Sequence, residues 1–485
     1  MTTSMTGVKK LKKVLFICGS PSGEKSTSFV HADFMAHFIK YTYEFISLYE
    51  TSDPTKPILS AHAQEKEEVF LKIVNKMENA DALVWVSGAQ CYFVPVQMQY
   101  LFEKLLAQNY YFKGKIAATL LTTYGVLDDY IHEKIRDVSE QLGFGHIGDI
   151  SISGSPFDFN SNESESQCRA LAGKINRALA SSYVPPRETD FIERKYLSPV
   201  IYGDRDFYSV KTAPEIKPEI HKTGKKTIIL ISGSSISNDP AALFIYNCIN
   251  AYSRNNIKLI EIENCDIKPC VYCRECILSV TGECCLKDEY SKIEKQLFLA
   301  DGIIYLGNCG AGIIDSRLRT FLGRTGKLLN QPSLRDKHGF VIATGGGPLG
   351  KSGAKHLEYF MGIHGINNIA TLTDSIAEPD QFSHVLQWTI QNLDLAMEEK
   401  WQAPDRFPAI GEHLIVRDVS IEFGYVVRGN YNFYKNEKRY NYPCRLLTAI
   451  LYPFFSNTRF RKTFEKLIIN HFLKKKKKRL ATISY

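Results

Sequence analysis

The 485-residue sequence has no stretch approaching eighteen uninterrupted apolar residues, which excludes a helical membrane channel. Nor is there an excess of Gly or Pro, at 32 and 19 residues, so collagen-like and wholly disordered chains are excluded as well. The first residues lack the apolar core of a secretory leader. Lys9, Lys10, Lys12 and Lys13 precede only Val14 to Cys18 before a Gly-Ser turn, and such a core needs seven or more apolar residues. This stretch reads as a first β-strand, and the expectation is a cytoplasmic protein. What is present is ordinary globular usage, 44% hydrophobic and 23% charged, in a length that predicts two or three domains.

The formal charge of +8 is unevenly distributed. From Lys435 to Arg479 fourteen Lys or Arg face only Glu437 and Glu465, a local +12 that leaves the remaining residues at −4. Basicity is therefore a property of the C-terminal segment, and the body has the charge of an ordinary soluble enzyme.

The chain repeats itself at long range. Lys12 to Ser20 (KKVLFICGS) matches Lys225 to Ser234 (KKTIILISGS), Asn79 to Gly88 (NADALVWVSG) matches Leu299 to Gly307 (LADGIIYLG), and Lys115 to Tyr124 (KIAATLLTTY) matches Lys337 to Gly345 (KHGFVIATG). Three matches in one order indicate two copies of one domain. Each copy alternates short apolar runs with stretches of helical periodicity, the pattern of a parallel sheet covered on both faces. Strands are expected near Val14, Phe45, Ala82, Ile116 and Ile150, and again near Ile228, Lys258, Ile303, Phe340 and Ile369. Helices are expected near Ser26, Gln64, Pro95, Asp129 and Glu163, and near Pro240, Asp288, Ile314, Ser352 and Gln381. The predicted fold class is α/β, two tandem flavodoxin-like doubly wound sheets of five parallel strands, with ligands beyond the carboxyl ends of the strands. The expected domains are 1–183, a Pro-rich linker 184–222, a second domain 223–400, and a basic, partly helical extension 401–485.

Each first strand runs into a loop rich in small hydroxyl residues, Gly19 to Ser28 in copy one and Gly233 to Pro240 in copy two. Backbone N–H groups at a helix N-terminus cradle phosphate without a dedicated cation. Neither loop ends in the Gly-Lys-Ser/Thr of a triphosphate loop, and neither has the spaced glycines of the dinucleotide fingerprint. A mononucleotide such as FMN is favoured over ATP or a tightly held NAD. The candidate contacts are Ser20, Ser26, Thr27 and Ser28 in copy one and Ser234, Ser235 and Ser237 in copy two. A Ser-rich helix cap is the plainer alternative for either loop.

Five of the twelve cysteines fall between Cys270 and Cys285. Cys270, Cys273 and Cys276 stand three apart, and Cys284 follows after seven intervening residues with Cys285 adjacent. Such spacing lets one loop wrap a [4Fe-4S] cubane, with Cys270, Cys273, Cys276 and Cys284 as ligands. Zinc, which prefers separated pairs or a Cys/His mixture, and a metal-free loop remain alternatives. Cys285 competes with Cys284 for the fourth place, though Cys284 follows Gly282-Glu283 in a natural turn.

The segment Asn264 to Tyr290, NCDIKPCVYCRECILSVTGECCLKDEY, resembles the iron-sulfur flavoproteins, members of the flavodoxin-like NADPH-dependent FMN reductase group. Leu306 to Gly326, with Arg317, Phe321 and Arg324, resembles that family's second flavin loop and helix, and Thr344-Gly345-Gly346-Gly347-Pro348 its third loop. The resemblance runs from about Lys225 to Lys400. It implies FMN and a [4Fe-4S] cluster, NAD(P)H as a transient co-substrate, and flavin contacts at Gly307, Asn308, Thr344, Gly345 and Gly346. The chain departs from the family pattern at Cys309 and Ala311, where Pro and Tyr are usual, and at Ser235 and Ile236, where Pro and Arg are usual. Copy one resembles the same fold without the cluster. Its second loop, Ser87 to Pro95, offers Tyr92 for stacking on a ring, with a half-buried rim aromatic as the plainer reading.

Since family members resemble dimers that set one subunit's cluster near the other's flavin, the two copies are expected to act as an intramolecular pseudo-dimer, open to further dimerisation. The expected function is an NAD(P)H-dependent flavin oxidoreductase or electron carrier. Its redox partner is expected to be a small molecule or a ferredoxin-like protein. The alternative is a non-catalytic flavodoxin-like scaffold with a zinc or metal-free cysteine loop, docking at a membrane surface. No general base is required, and His31, His62 and His364 read as structural. Beyond Trp401, Leu446 to Phe455 is apolar, and Phe460, Phe464, Leu467, Ile468 and Phe472 recur at helical spacing among basic residues. Such a segment suits peripheral contact with an anionic membrane, where each charge adds about 1 kcal/mol, or a helix packed on the body. Nucleic acid is not an expected partner.

Overall fold

The computed structural model describes residues 12–49, 67–90, 93–123, 128–153, 162–187, 222–309, 312–345, 350–374, 379–403, 409–422, 424, 427–436, 460 and 463. The chain divides into two compact units. The described residues of unit one run from 12 to 187, and those of unit two begin at 222.

In unit one, β1 (Lys13–Cys18), β2 (Thr42–Ser47), β3 (Ala82–Gly88), β4 (Ile116–Thr123) and β5 (Gly145–Ser153) form one sheet in the order β2-β1-β3-β4-β5. Every pairing is parallel, with Val14 opposite Ala82 and Ala82 opposite Ile116. Parallel neighbours need crossovers, and α1 (Thr27–Ala36), α2 (Glu67–Asn79), α3 (Val96–Ala107) and α4 (Asp128–Gln141) supply them, with α5 (Asn162–Ser181) after the last strand. The continuous apolar runs follow from this cover. Val14 to Ile17 are wholly buried, as are Val84 to Val86, and each such side chain adds roughly 1.5–3 kcal/mol over an exposed one. Trp85 is 0% exposed, yet its indole N–H donates to Ser139 Oγ at 2.9 Å. That bond spares the core an unsatisfied donor.

Unit two repeats the plan. β6 (Thr227–Ser232), β7 (Asn256–Glu261), β8 (Gly302–Asn308), β9 (His338–Thr344) and β10 (Asn367–Thr373) lie in the order β7-β6-β8-β9-β10, again all parallel. α6 (Pro240–Tyr252), α8 (Tyr290–Leu299), α9 (Ser316–Arg324), α11 (Gly350–His364) and α12 (Pro379–Glu399) stand where helices were expected. In both units strand order reverses between the first and third strands. This is the flavodoxin-like arrangement, and it places the binding crevice beside the loop that follows the first strand.

Two short helices were not anticipated, and two later ones fall in the extension expected to be partly helical. α7 (Glu275–Leu278) lies in the cysteine loop and α10 (Gly326–Asn330) extends α9, while α13 (Ala409–Glu422) and α14 (Arg428–Asn436) belong to the extension. The extension's described part is built into unit two. His413 Nε2 donates to the Ile363 carbonyl at 2.9 Å, Tyr434 OH to the Asn330 carbonyl at 3.0 Å, and Gln331 Nε2 to Asn430 Oδ1 at 3.0 Å. Of the expected basic amphipathic segment, only Phe460 among its named residues is described, and Leu446 to Phe455 lies outside the described residues. Among the described residues no helix is long and apolar enough to cross a membrane.

Candidate functional site

Both first loops connect a buried strand to a helix, and they satisfy their backbone N–H groups in opposite ways. In unit one Ser26 takes an extended conformation (φ −75°, ψ 151°) and caps α1, its Oγ accepting from Phe29 N at 3.1 Å and donating to the Gly23 carbonyl at 2.8 Å. Turn bonds hold Gly23, Lys25 and Ser26 N–H on backbone carbonyls. Among the described residues, the N–H groups of Thr27 and Ser28 in the first turn of α1 have no partner, and no carboxylate accepts from any N–H between Ser20 and Ser28. Ser28 Oγ is buried against Thr122 Oγ1 at 2.7 Å. Gly88 lies beside this pair, with room for a Cβ only at 3.4 Å from Thr122 Oγ1. Two such N–H donors at a positive helix end fit a phosphate. Of the sequence candidates, Ser26 and Ser28 spend their hydroxyls inside the fold, Ser20 lies at the loop start, and Thr27 contributes its amide. Tyr92 lies outside the described residues.

In unit two, carboxylates fill the corresponding places. Glu261, at the end of β7, accepts from Ile236 N at 2.7 Å and Ser235 Oγ at 3.0 Å. Glu263 accepts from Ser235 N at 2.8 Å and pairs with Arg317 at 3.1 Å. Asp239 caps α6 by accepting from Ala241 N and Ala242 N. At the second loop, buried Asp315 accepts from Asn308 N at 3.1 Å and Leu318 N at 2.9 Å. At the third loop, Asp374 accepts from Gly345 N at 2.8 Å. Burial outweighs these bonds and the nearby Arg317 at Asp315, pushing its carboxyl up to about 6. Ser234, Ser235, Ser237, Gly307, Asn308, Thr344 and Gly345 therefore do gather at one end of the sheet. Ser235 Oγ meets Ser237 Oγ at 2.8 Å, and the Ser234 carbonyl accepts from Ser232 Oγ. Gly346, Gly347, Pro348 and Ala311 lie outside the described residues, whereas Cys309 is buried against Gly353.

The cysteine loop leaves β7 through a short turn and is clamped at its root. Glu289 accepts from Asp266 N at 2.7 Å and Asp288 from Lys268 N at 3.0 Å. Arg324, from α9, grips both oxygens of Asp288 at 2.6 and 3.1 Å and also donates to the Lys268 carbonyl. Both side chains are 1% exposed. Burial alone would raise the Asp288 carboxyl, but the Arg324 fork prevails and holds it below the usual carboxylate range. Arg324 stacks over Tyr290 and sends Nη2 to Cys284 Sγ at 3.3 Å.

Within the loop, each interval of the CxxCxxC run contains a residue in the left-handed region, Tyr272 at φ 55° and Arg274 at φ 60°. Side chains other than Gly adopt this conformation at a cost of roughly 1–2 kcal/mol, and here it reverses the backbone inside each interval. Cys273 Sγ lies 3.1 Å from Cys285 Sγ. The Cys285 thiol is pushed up to about 12 by partial burial and by Cys273, with Cys284 and Cys270 adding to it. These four sulfurs thus lie within electrostatic reach of one another, while Cys276 lies beside Gly326. Among the described residues, no group of three or more His, Cys, Asp or Glu side chains is arranged to hold a single metal ion. An all-sulfur donor set suits either zinc or an iron-sulfide core by its chemistry, and the geometry of these sulfurs favours neither. Sequence reasoning singled out Cys284 and missed the proximity of Cys285 to Cys273, which only the folded loop reveals.

Residues 12–153 match the family model of the NADPH-dependent FMN reductases, a match that falls on unit one. No curated protein matches the chain. Among solved structures, a flavone reductase is 13% identical with a TM-score of 0.30, over 37% of this chain and 66% of that one, so the chain spans just under two thirds of its length. The FMN-dependent NADH-azoreductase of Bacillus anthracis str. Ames Ancestor, in complex with FMN, is 14% identical with a TM-score of 0.28, over 34% of this chain and 100% of that one. An NADH:FMN oxidoreductase in apo form is 18% identical with a TM-score of 0.28, over 38% and 99%.

Proposed function

We propose that the chain is an FMN-dependent NAD(P)H oxidoreductase whose unit one holds the flavin and whose cysteine loop in unit two holds a [4Fe-4S] cluster. The observation that carries the flavin reading is the match of residues 12–153 to the NADPH-dependent FMN reductase family. Among the described residues, the first-turn amides of Thr27 and Ser28 in α1 have no hydrogen-bond partner. Thr27 and Ser28 N–H would hold the phosphate, the Ser26 cap fixes the angle at which they point, and the covered parallel sheet holds the loop rigid. The cysteine loop supplies Cys270, Cys273 and Cys276, with Cys284 or Cys285 as the fourth sulfur. Arg324 and Asp288 hold its root, so the sulfurs are carried on a fixed frame. FMN takes two electrons as hydride and gives them up singly, and a [4Fe-4S] cluster moves one at a time, so together they couple two-electron to one-electron chemistry. The redox partner in this reading is a small molecule or a ferredoxin-like protein.

Anaerobic purification with absorbance, flavin extraction and iron assay tests the reading. Flavin bands with a broad iron-sulfide shoulder and about four iron per chain support both halves. Flavin without iron removes the cluster and keeps the reductase. A colourless, zinc-containing protein overturns the proposal in favour of a scaffold.

A further inference from the structure

The repeat supplies two flavodoxin-like units, and nothing in the fold alone says how many flavins the chain takes. We propose that unit two is closed to phosphorylated flavin by its own carboxylates, Glu261 and Glu263 foremost, so that the chain carries one FMN. The inference rests on the proposed function for the flavin in unit one.

The argument is one of occupied donors. A phosphate at the end of β6 would be recognised by N–H groups of the loop after that strand and of the first turn of α6. Those of Ser235 and Ile236 already end on Glu263 and Glu261, at 2.8 and 2.7 Å, and those of Ala241 and Ala242 end on Asp239. The Ser235 hydroxyl is taken by Glu261 as well. Arg317, the cation that pairs with Glu263 at 3.1 Å, is thereby committed. A phosphate dianion would have to displace tethered carboxylates that make charge-assisted bonds of the kind it would make itself. It would then lie against that displaced negative charge. The same substitution extends to the other two loops of the crevice, where Asp315 holds Asn308 N and Asp374 holds Gly345 N. In unit one, by contrast, no carboxylate among the described residues accepts from an N–H of the first loop.

The test is a count of flavin per chain on the full-length protein, loaded anaerobically with excess FMN, freed of unbound flavin by gel filtration and then denatured to release what stayed. The wild type is expected to carry one FMN, and the double variant Glu261→Ala/Glu263→Ala to rise to two at saturating FMN. If the alanine variant fails to fold, Glu261→Gln/Glu263→Gln keeps the shape, removes the charge and is expected to admit the second FMN. Two FMN in the wild type, or one in either folded double variant, overturns the inference. A wild type without FMN overturns the functional reading instead. Equilibrium dialysis of inorganic phosphate then decides the inference: more phosphate bound by the double variant than by the wild type supports it, and equal counts overturn it.

Discussion

The first loops of the two units begin from the same strand and end in the same kind of helix, yet one is capped by a neutral hydroxyl and the other by acids. Ser26 satisfies Phe29 N and leaves Thr27 and Ser28 N–H without a partner among the described residues, whereas Glu261, Glu263 and Asp239 satisfy two N–H groups of unit two's first loop and two in the first turn of α6. A helix end must satisfy its orphan donors somehow. A tethered carboxylate does so permanently and leaves no role for an external anion, while a Ser cap takes one donor and leaves the rest to a ligand. Duplicated folds can therefore diverge in ligand capacity without any change of topology.

The largest expected effect separates the units by cofactor. Cys273→Ser should bring iron from about four per chain to near zero while FMN content stays unchanged, measured together on one anaerobic sample. Loss of both would mean that the units do not hold separate sites. Next is Arg324→Gln, which leaves Asp288 buried without its fork. Removing one member of such a pair costs about 3–5 kcal/mol, read as a lower urea midpoint for unit two with unit one unmoved. The double change Arg324→Leu/Asp288→Leu should recover much of that loss.

A subtler break targets the uncommitted donors of unit one. Thr27 is the first residue of α1, and Ser26 before it is extended, the conformation that tolerates a following proline. Thr27→Pro should delete one phosphate-facing N–H without disturbing the helix. A charge-assisted bond of about 1.5–3 kcal/mol corresponds to FMN binding weakened by roughly 10- to 100-fold, read by flavin fluorescence at unchanged melting temperature. Unaltered affinity would move the phosphate away from this loop.

The smallest effect is a pH dependence confined to unit two. His364 is 0% exposed and lowered to about 3 by burial and by His413. Thr325 Oγ1 gives its proton to the Leu322 carbonyl, so His364 Nε2–H donates to Thr325 and Nδ1 accepts from Tyr305 OH. Between pH 3 and 6.5 the unfolded chain binds the proton that the folded one refuses, so His364 makes stability rise with pH. Asp315, raised to about 6, works the other way between pH 3.8 and 6, because the folded state holds the proton. The two slopes oppose each other, with His338, lowered by burial, adding to that of His364, so the wild type should rise only gently with pH there. Asp315→Asn, which keeps the cap, should uncover a slope of up to about 1.4 kcal/mol per pH unit. A variant rising no more steeply than the wild type would show that these groups do not dominate.

Most of the fold was legible because parallel strands buried on both faces must be apolar throughout, so Val14 to Cys18 and Ile228 to Ser232 announce themselves and each other. Helix starts were legible at Ser26 and at Asp239-Pro240, where cap chemistry is local. What sequence could not give is chemistry assembled across distance. Glu261 and Glu263 read as an ordinary strand end, 25 or more residues beyond the amides they satisfy. Spacing left Cys284 and Cys285 open as fourth sulfur, and the fold adds contacts to each that sequence does not show, Cys284 with Arg324 and Cys285 with Cys273. The extension was legible as partly helical, but the docking of α13 and α14 was not, because their partners, Asn330, Gln331 and Ile363, lie far back in the chain.

The sealed position of Trp85 has a practical consequence. Of the chain's three tryptophans, only this one lies in unit one and is shut off from water, whereas Trp388 and Trp401 in unit two are 65% and 40% exposed. Intrinsic emission from the native chain should therefore combine a blue component with a red one. Melting of unit one should extinguish the blue component, and melting of unit two should leave it nearly intact.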